Sequence, residues 1–234
     1  MEKDLKISRR TLLAAAGGAL INIGFPGIFT RLSKAGQSAL AAEKRLDGRL
    51  RLPPGQVAVQ KIEYMGGTPG TATVANWSMR IHGEVEKPAI FSFQDLLNLP
   101  QVDITCDIHC VTGWSLLDSQ WSGVALETIL ERVKPGKNEA FVIFQAAAGY
   151  TSNVPIAVAR QKNSILAHRF YGERLPRELG APVRVVIPDL YFYKSAKWLE
   201  AIKVASEDEP GFWERRGYSN AADPWKEERY SRDR

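Results

Sequence analysis

The chain reads as a strand-rich α+β fold on three observations: apolar runs of strand length recur along it, Pro and Gly turns separate them, and helical spacing is confined to short stretches. Trp77, Met79 and Ile81 alternate with Ser78, Arg80 and His82, the period of a strand with one buried face, and Gly83 ends the run. Pro88 breaks the next segment. Ser92 can then cap a short helix through Leu96, Leu97 and Leu99, which Pro100 stops. Leu126, Ile129, Leu130 and Val133 follow helical spacing, and Lys134, Pro135 and Gly136 terminate that helix. Residues 141–144 and 183–187 are apolar runs of strand length, and residues 198–204 form a further candidate strand.

Both cysteines fall in one stretch, CDIHCVTGWS, beginning at Cys106. Ile104, Cys106, Ile108 and Cys110 alternate with Thr105, Asp107 and His109, again the strand period. An extended chain advances roughly 3.3 Å per residue, so the two Cα atoms would stand about 13 Å apart, against a limit of roughly 7 Å for a disulfide. In a helix the i, i+4 pair would be close, and a bridge is the alternative on that reading. Cys106 lies inside the alternating run, where it reads as a small buried hydrophobe. Cys110 ends the run and opens into a Gly-containing loop, where a side chain can be offered to a ligand.

The first forty residues read as an address. Lys3 and Lys6 precede Ser8, Arg9, Arg10, Thr11, Leu12 and Leu13, a twin-arginine signature, and a moderately apolar stretch runs to about Phe29. Its glycines and Pro26 make a poor membrane helix, and Ala39, Leu40 and Ala41 supply a small-x-small cleavage site; an uncleaved anchor is the alternative. Residues 1–41 hold six Lys/Arg and two Asp/Glu, so only +1 of the chain's +5 stays on the mature part and nucleic-acid binding loses its compositional support. The expected organisation is a signal over 1–41, an extended lead-in over 42–75 and a single domain over 76–234. The tail after Pro210 shows no clear period.

Five strings, CVTGWS, WSGVALETIL, GAPVRVVIP, YKSAKWLEAI and GFWERRGY, occur in the order found in the molybdopterin-binding domain of the sulfite oxidase superfamily. The resemblance covers residues 77–225. It is to the short bacterial periplasmic members, among them the catalytic subunit of the protein-methionine-sulfoxide reductase, rather than to the sulfite oxidases with their immunoglobulin-like dimerisation domain.

This resemblance implies a molybdenum–molybdopterin (Mo-molybdopterin) cofactor with Cys110 as the catalytic metal ligand, a soft thiolate beside the two dithiolene sulfurs of the pterin. It implies that Arg184 contacts the cofactor and that Ser195, Ala196 and Lys197 form a cradle of backbone amides with an ammonium charge for its phosphate. Lys194 is a lesser candidate. Thr151, or its neighbour Ser152, falls where relatives place a hydroxyl near the pterin, and Tyr64, Met65, Gly66 and Gly67 could lie against it. Leu179 stands where the methionine-sulfoxide-reductase group has an Asn before the GAP string. His109 should face away from Cys110 in a structural role, His82 and His168 carry no motif, and Trp114 could wall the pocket or fill the core.

The implied reaction is two-electron, oxo-transfer redox chemistry on a small or sulfur-containing substrate such as a sulfoxide, by a monomeric periplasmic catalytic subunit. No C-x-x-C-H occurs and two cysteines cannot hold an iron–sulfur cluster, so the electron partner is external, a haem-bearing membrane subunit or a periplasmic cytochrome. Two rivals stand beside this reading. One is a cofactor-free binding domain retaining the fold; the other is a zinc protein using Cys106, Cys110 and a histidine, for which His82, His109 and His168 have no zinc spacing.

Overall fold

The computed structural model describes residues 39, 42–45, 47–138 and 140–232, and divides into two units, Met1–Leu52 and Pro53–Arg234. The twin-arginine motif and the cleavage-site residues Leu40 and Ala41 lie outside the described residues. In the first unit the described residues form a local turn: Lys44 and Leu50 make an antiparallel bridge, Arg49 pairs with Asp47 at 2.7 Å, and Arg51 with Glu43 at 3.0 Å.

The second unit is built on two sheets. One runs in the order β1 (Val57–Val59), β5 (Trp114–Ala125), β8 (Ile165–Phe170), β10 (Arg184–Val186), with β4 (Val102–His109) also on β5 and β9 (Glu173–Arg174) on β8. The other runs β3 (Ala89–Ser92), β2 (Ser78–Gly83), β11 (Leu199–Ala205), β6 (Phe141–Ala146), β7 (Tyr150–Pro155). Pairing is antiparallel except for β1 with β5 and β11 with β2. Strands thus dominate and helices are few, the strand-rich α+β class that the patterning predicts.

The long first sheet is covered on both faces at its centre. Leu166 and Val185 pack into one core cluster, with Met79, Ile81, Phe144 and Ile202 of the second sheet, while their chain neighbours Ile165, Ala167 and Val186 pack into another with Ile108 and Trp121. Successive strand residues point to opposite faces, so a strand buried on both sides must be apolar at consecutive positions. The run Val183, Arg184, Val185, Val186, Ile187 meets that demand at every position but one, and the exception is a buried arginine.

Local signals place the helices. Ser92 caps α1 (Phe93–Leu97) in a capping box with Asp95, whose carboxylate takes the Ser92 amide at 2.9 Å. In α2 (Leu126–Val133) Leu126, Ile129, Leu130 and Val133 are all buried, and Lys134 ends the helix with φ of 51°. A one-turn helix, α3 (Ile156–Ala159), follows β7.

The cysteine strand follows its alternation to the end. Ile104, Cys106, Ile108 and Cys110 all pack into the second cluster. The irregularity opposite Asp107 is on β5: Cys106 pairs with Ser119 and Ile108 with Leu116, so β5 carries an extra residue there. Asp118 takes a positive φ of 54° in that bulge, and its amide donates to Asp107 Oδ1 at 2.9 Å. Both cysteines are free thiols, and Cys106 contacts Ser119 Oγ at 3.7 Å.

Several strands have no prior signal in the chain's pattern: β1, within the expected lead-in, and β3, β5, β7, β8 and β9. Ile129→Ala, at a position fully enclosed in the α2 core face, is expected to cost about 2–5 kcal/mol, measured as a shift in the urea unfolding midpoint with unchanged slope.

Candidate active site

A cavity of about 640 Å³ opens where the connecting segments of the second unit converge. Its lining comes from residues 62–68, from Cys110 to Thr112 after β4, from Ala147, Ala148 and Tyr150, from Leu179, Arg184, Ser195, Lys197 and Trp198, and from Phe212, Trp213 and Tyr218 in the tail. Of the residues that the sequence singles out, Cys110, Arg184, Ser195 and Lys197 therefore meet on one cavity, 74 or more positions separating the first from the others. Tyr64 to Gly67 and Leu179 join them.

Cys110 is held by its turn. Its amide donates to Trp114 O at 2.8 Å and its carbonyl accepts from Gly113 N at 3.0 Å and from Gln56 Nε2 at 3.1 Å, which fixes the backbone where β4 ends. The residue is 6% exposed, and its sulfur accepts a hydrogen bond from Thr112 Oγ1 at 3.1 Å. Burial pushes the thiol up from its ordinary range, offset in part by Thr112 and by the charge of Arg229. A metal at this sulfur would remove the need for that proton.

Arg184 is the first residue of β10, the last strand of the first sheet, at 1% exposure. Nε donates to Val185 O at 3.1 Å, Nη1 to Leu179 O at 2.9 Å and Nη2 to Ser195 O at 2.8 Å, and the guanidinium lies 4.1 Å from the Phe192 ring centre. These are neutral partners, and among the described residues no carboxylate pairs with it. Burial lowers its pKa to about 9. Lys197 is similar in kind: its ammonium donates to the carbonyls of Gly66 and Glu178 and sits 4.2 Å from the Trp198 ring centre, and burial, then the neighbouring Arg184 charge, lowers its pKa to about 8.

Gly180 lets the two cations approach. It has φ of 114°, and a Cβ there would stand 3.0 Å from Lys197 Cβ and 3.1 Å from Arg184 Cβ. The glycine of the GAP string is thus required by both conformation and space. Two cations that face one cavity, neither paired with a carboxylate among the described residues, form a site that calls for an anion, and a soft sulfur donor opens on the same space. This donor set fits a pterin phosphate and a thiophilic metal.

Other expected residues fall elsewhere. Ala196 lies in the first core cluster, and its amide donates to Lys194 O. The Ser195 amide donates to Phe192 O, and Ser195 Oγ accepts from Ile187 N at 2.9 Å, so the amides of both residues are engaged within the protein and a cradle over residues 195–197 is reduced to Lys197. Thr151 is not on the lining; its carbonyl holds Phe212 N at 2.8 Å, and Ser152 Oγ donates to Lys194 O. Trp114 packs into the second core cluster. His109 faces away from Cys110's cluster, with Nδ1 2.8 Å from Ser115 Oγ and its ring edge-on to Trp225. His82 meets Gln145 and His168 meets Gln101. Among the described residues no three His, Cys, Asp or Glu side chains gather as a metal site.

Lys194 has a structural task. Its side chain and that of Glu214 are 0% and 2% exposed and form an ion pair, and Lys194 Nζ also donates to Asn153 Oδ1 at 2.9 Å. This pins the tail to β7, and with it Phe212, Trp213 and Tyr218, which wall the cavity. Those aromatic residues, Glu63, Thr112, Tyr150 and Phe192 are among the cavity residues that sequence reasoning missed. The GFWERRGY string marks the tail, but without a period nothing in it says which side chains turn inward.

The segment from residue 65 to residue 213 matches the family of the oxidoreductase molybdopterin binding domain. Over 185 residues the chain is 40% identical to an uncharacterized oxidoreductase, YuiH, of Bacillus subtilis, covering 78% of this chain and 93% of that one. It is 30% identical over 160 residues to the protein-methionine-sulfoxide reductase catalytic subunit MsrP of Burkholderia mallei, covering 62% of this chain and 48% of that protein, so it spans about half the length of that relative. The fold matches that of the sulfane dehydrogenase SoxCD from Paracoccus pantotrophus with a TM-score of 0.56 at 20% identity, over 64% of this chain and 42% of that one. The chain belongs to the molybdopterin-binding oxidoreductase family, of the sulfite oxidase type, and is an oxidoreductase.

Removing the Lys194 charge would leave Glu214 buried and uncompensated. Lys194→Met is expected to destabilise by about 3–5 kcal/mol in denaturant unfolding, and Lys194→Met with Glu214→Gln to recover part of the loss.

Proposed function

We propose that the protein is an exported molybdenum-pterin oxidoreductase performing two-electron, oxygen-atom-transfer chemistry on a small or sulfur-containing substrate, with electrons exchanged through a separate partner. The observation that carries the reading is the convergence of the Cys110 sulfur and two carboxylate-free cations, Arg184 and Lys197, on one cavity. Cys110 would hold the metal as a thiolate. Arg184 and Lys197 would hold the phosphate of the pterin, with the Ser195 carbonyl and the carbonyl of Leu179 keeping the guanidinium in place.

When bound, the molybdenum-pterin group supplies a two-electron redox couple that no side chain of this protein offers. The chain's residues do the rest. Thr112 steadies the Cys110 sulfur by its hydrogen bond, the Cys110 turn fixes the sulfur's position, and Phe212, Trp213 and Tyr218 give the same cavity an aromatic wall.

Export by the twin-arginine route, with cleavage near Ala41, rests on the SRRTLL motif and the apolar stretch behind it. That route takes folded cargo, which suits a protein whose group is inserted into a finished cavity. Among the described residues no helix is long and apolar enough to cross a membrane. An external electron partner, a haem-bearing membrane subunit or a periplasmic cytochrome, is supported by a sequence with too few cysteines for an iron–sulfur cluster and by relatives whose names describe subunits of larger enzymes.

Cys110→Ser is expected to lose turnover and at least tenfold of the bound molybdenum, measured by metal analysis of the purified protein, whereas Cys106→Ser keeps its metal and loses stability. Equal metal and activity in the two variants would contradict the assignment. Replacing Arg9 and Arg10 together with Lys is expected to leave the precursor in the cytoplasm, assayed by fractionation and immunoblot; unchanged periplasmic yield would remove the export route.

A further inference from the structure

We propose that Arg229 is a positioning residue for the metal site: it holds the Cys110 loop from behind, and its charge raises the reduction potential of the molybdenum that Cys110 would bind. The inference rests on the oxidoreductase reading above and adds what tunes that site. Arg229 lies beyond the segment from residue 65 to residue 213 that matches the family, and it is not on the cavity lining.

Neutral partners anchor most of the loop. The Cys110 amide donates to Trp114 O at 2.8 Å, Cys110 O accepts from Gly113 N at 3.0 Å and from Gln56 Nε2 at 3.1 Å, and Gly113 O accepts from Val57 N at 2.9 Å. The carbonyl of Val111, next in the chain to the sulfur-bearing residue, is different: its donor is Nη1 of Arg229. A neutral amide would satisfy that carbonyl, as Gln56 does one residue earlier, so the hydrogen bond alone does not account for a guanidinium.

The charge is fixed in place and left uncancelled. Arg229 is half-buried, its guanidinium lies 5.4 Å from the Tyr191 ring centre, and its backbone is tied into the tail: Arg229 O accepts from Ser219 N at 3.0 Å, and Tyr218 and Tyr230 form an antiparallel bridge. Among the described residues no carboxylate makes an ion pair with it. Glu227 shares its ground, since a Cβ on Gly55 would stand 2.8 Å from Glu227 Oε1 and 3.2 Å from Arg229 Nη2. Glu227 is exposed, so water and salt screen its charge more than that of the half-buried arginine. A cation close behind a thiolate ligand attracts the added electron and so favours the reduced state of the metal. Acting from behind the loop, it leaves the space before the sulfur to the pterin and the substrate.

The test compares the cofactor-loaded wild type with Arg229→Gln, which keeps a donor for the Val111 carbonyl and loses the charge, and with Arg229→Lys, which keeps the charge. The potential of the bound molybdenum is read by redox titration followed by electron paramagnetic resonance. Arg229→Gln is expected to lower the one-electron potential by the equivalent of about a tenfold change in equilibrium constant, about 59 mV, and Arg229→Lys by less than about a third of that. Glu227→Gln, which removes the acid beside the arginine and leaves the arginine in place, should move the potential the opposite way. An unmoved potential in Arg229→Gln, or equal falls in the glutamine and lysine variants, would overturn the inference. Should Arg229→Gln purify without metal, the sign of the Glu227→Gln shift decides, and a fall or no change there overturns it. Molybdenum content, measured on the same samples, separates the two levels: wild type without the metal would sink the enzymatic reading, whereas a loaded protein with an unmoved potential sinks the role of Arg229 alone.

Discussion

The architecture of the site depends on one guanidinium buried without a carboxylate. Arg184 binds three carbonyls from three stretches of chain, Leu179 before the glycine turn, Val185 in its own strand and Ser195 in the turn beyond. The bonds to Leu179 and Ser195 each fix a piece of the cavity wall. Hydrogen bonds to neutral carbonyls satisfy the donors but do not cancel the charge, and burying a cation in this way is unfavourable by itself. The arrangement makes physical sense as a trade of stability for a pre-oriented positive field, with an anionic ligand supplying the missing charge. Gly180 is the companion constraint, because any side chain there would force Arg184 and Lys197 apart.

Cys110 meets this field from another direction. It comes from the end of β4, on the other side of the first sheet's central strand from β10, and is brought to the cavity by a tight turn rather than by any local cluster of ligands. A metal site assembled from a single protein donor has no sequence spacing to announce it. Only the cofactor, with its own sulfurs, makes one thiolate sufficient.

What was legible in the sequence was local. The Ser92 cap, the apolar face of α2, the alternation of β2 and the run that ends at Cys110 each follow from side chains within a few positions of one another. Two of the strands that gave no signal hold polar residues buried by distant partners. In β5, Ser119 Oγ donates to Cys106 O and accepts from Trp121 Nε1, and Ser115 bonds His109, so an apparently polar stretch is interior. In β7, Ser152 and Asn153 look exposed by composition but serve Lys194. Arg184, Lys197 and Cys110, which meet on the cavity, are singled out by family strings rather than by pattern. Ala196 and Thr151, singled out the same way, lie off the lining, since a string carries whole residues and says nothing of which of them face the cavity. The aromatic wall was invisible because its inward faces are chosen by an ion pair between Lys194 and Glu214.

The placement of that wall orders events in the life of the molecule. Phe212, Trp213 and Tyr218 close the cavity, and the ribosome makes them some hundred residues after Cys110. A nascent chain can present the sulfur, and later the two cations, but it cannot enclose anything until its tail has docked through Glu214. The cavity wall is therefore complete only once the last part of the chain has been made and docked through the Lys194–Glu214 pair.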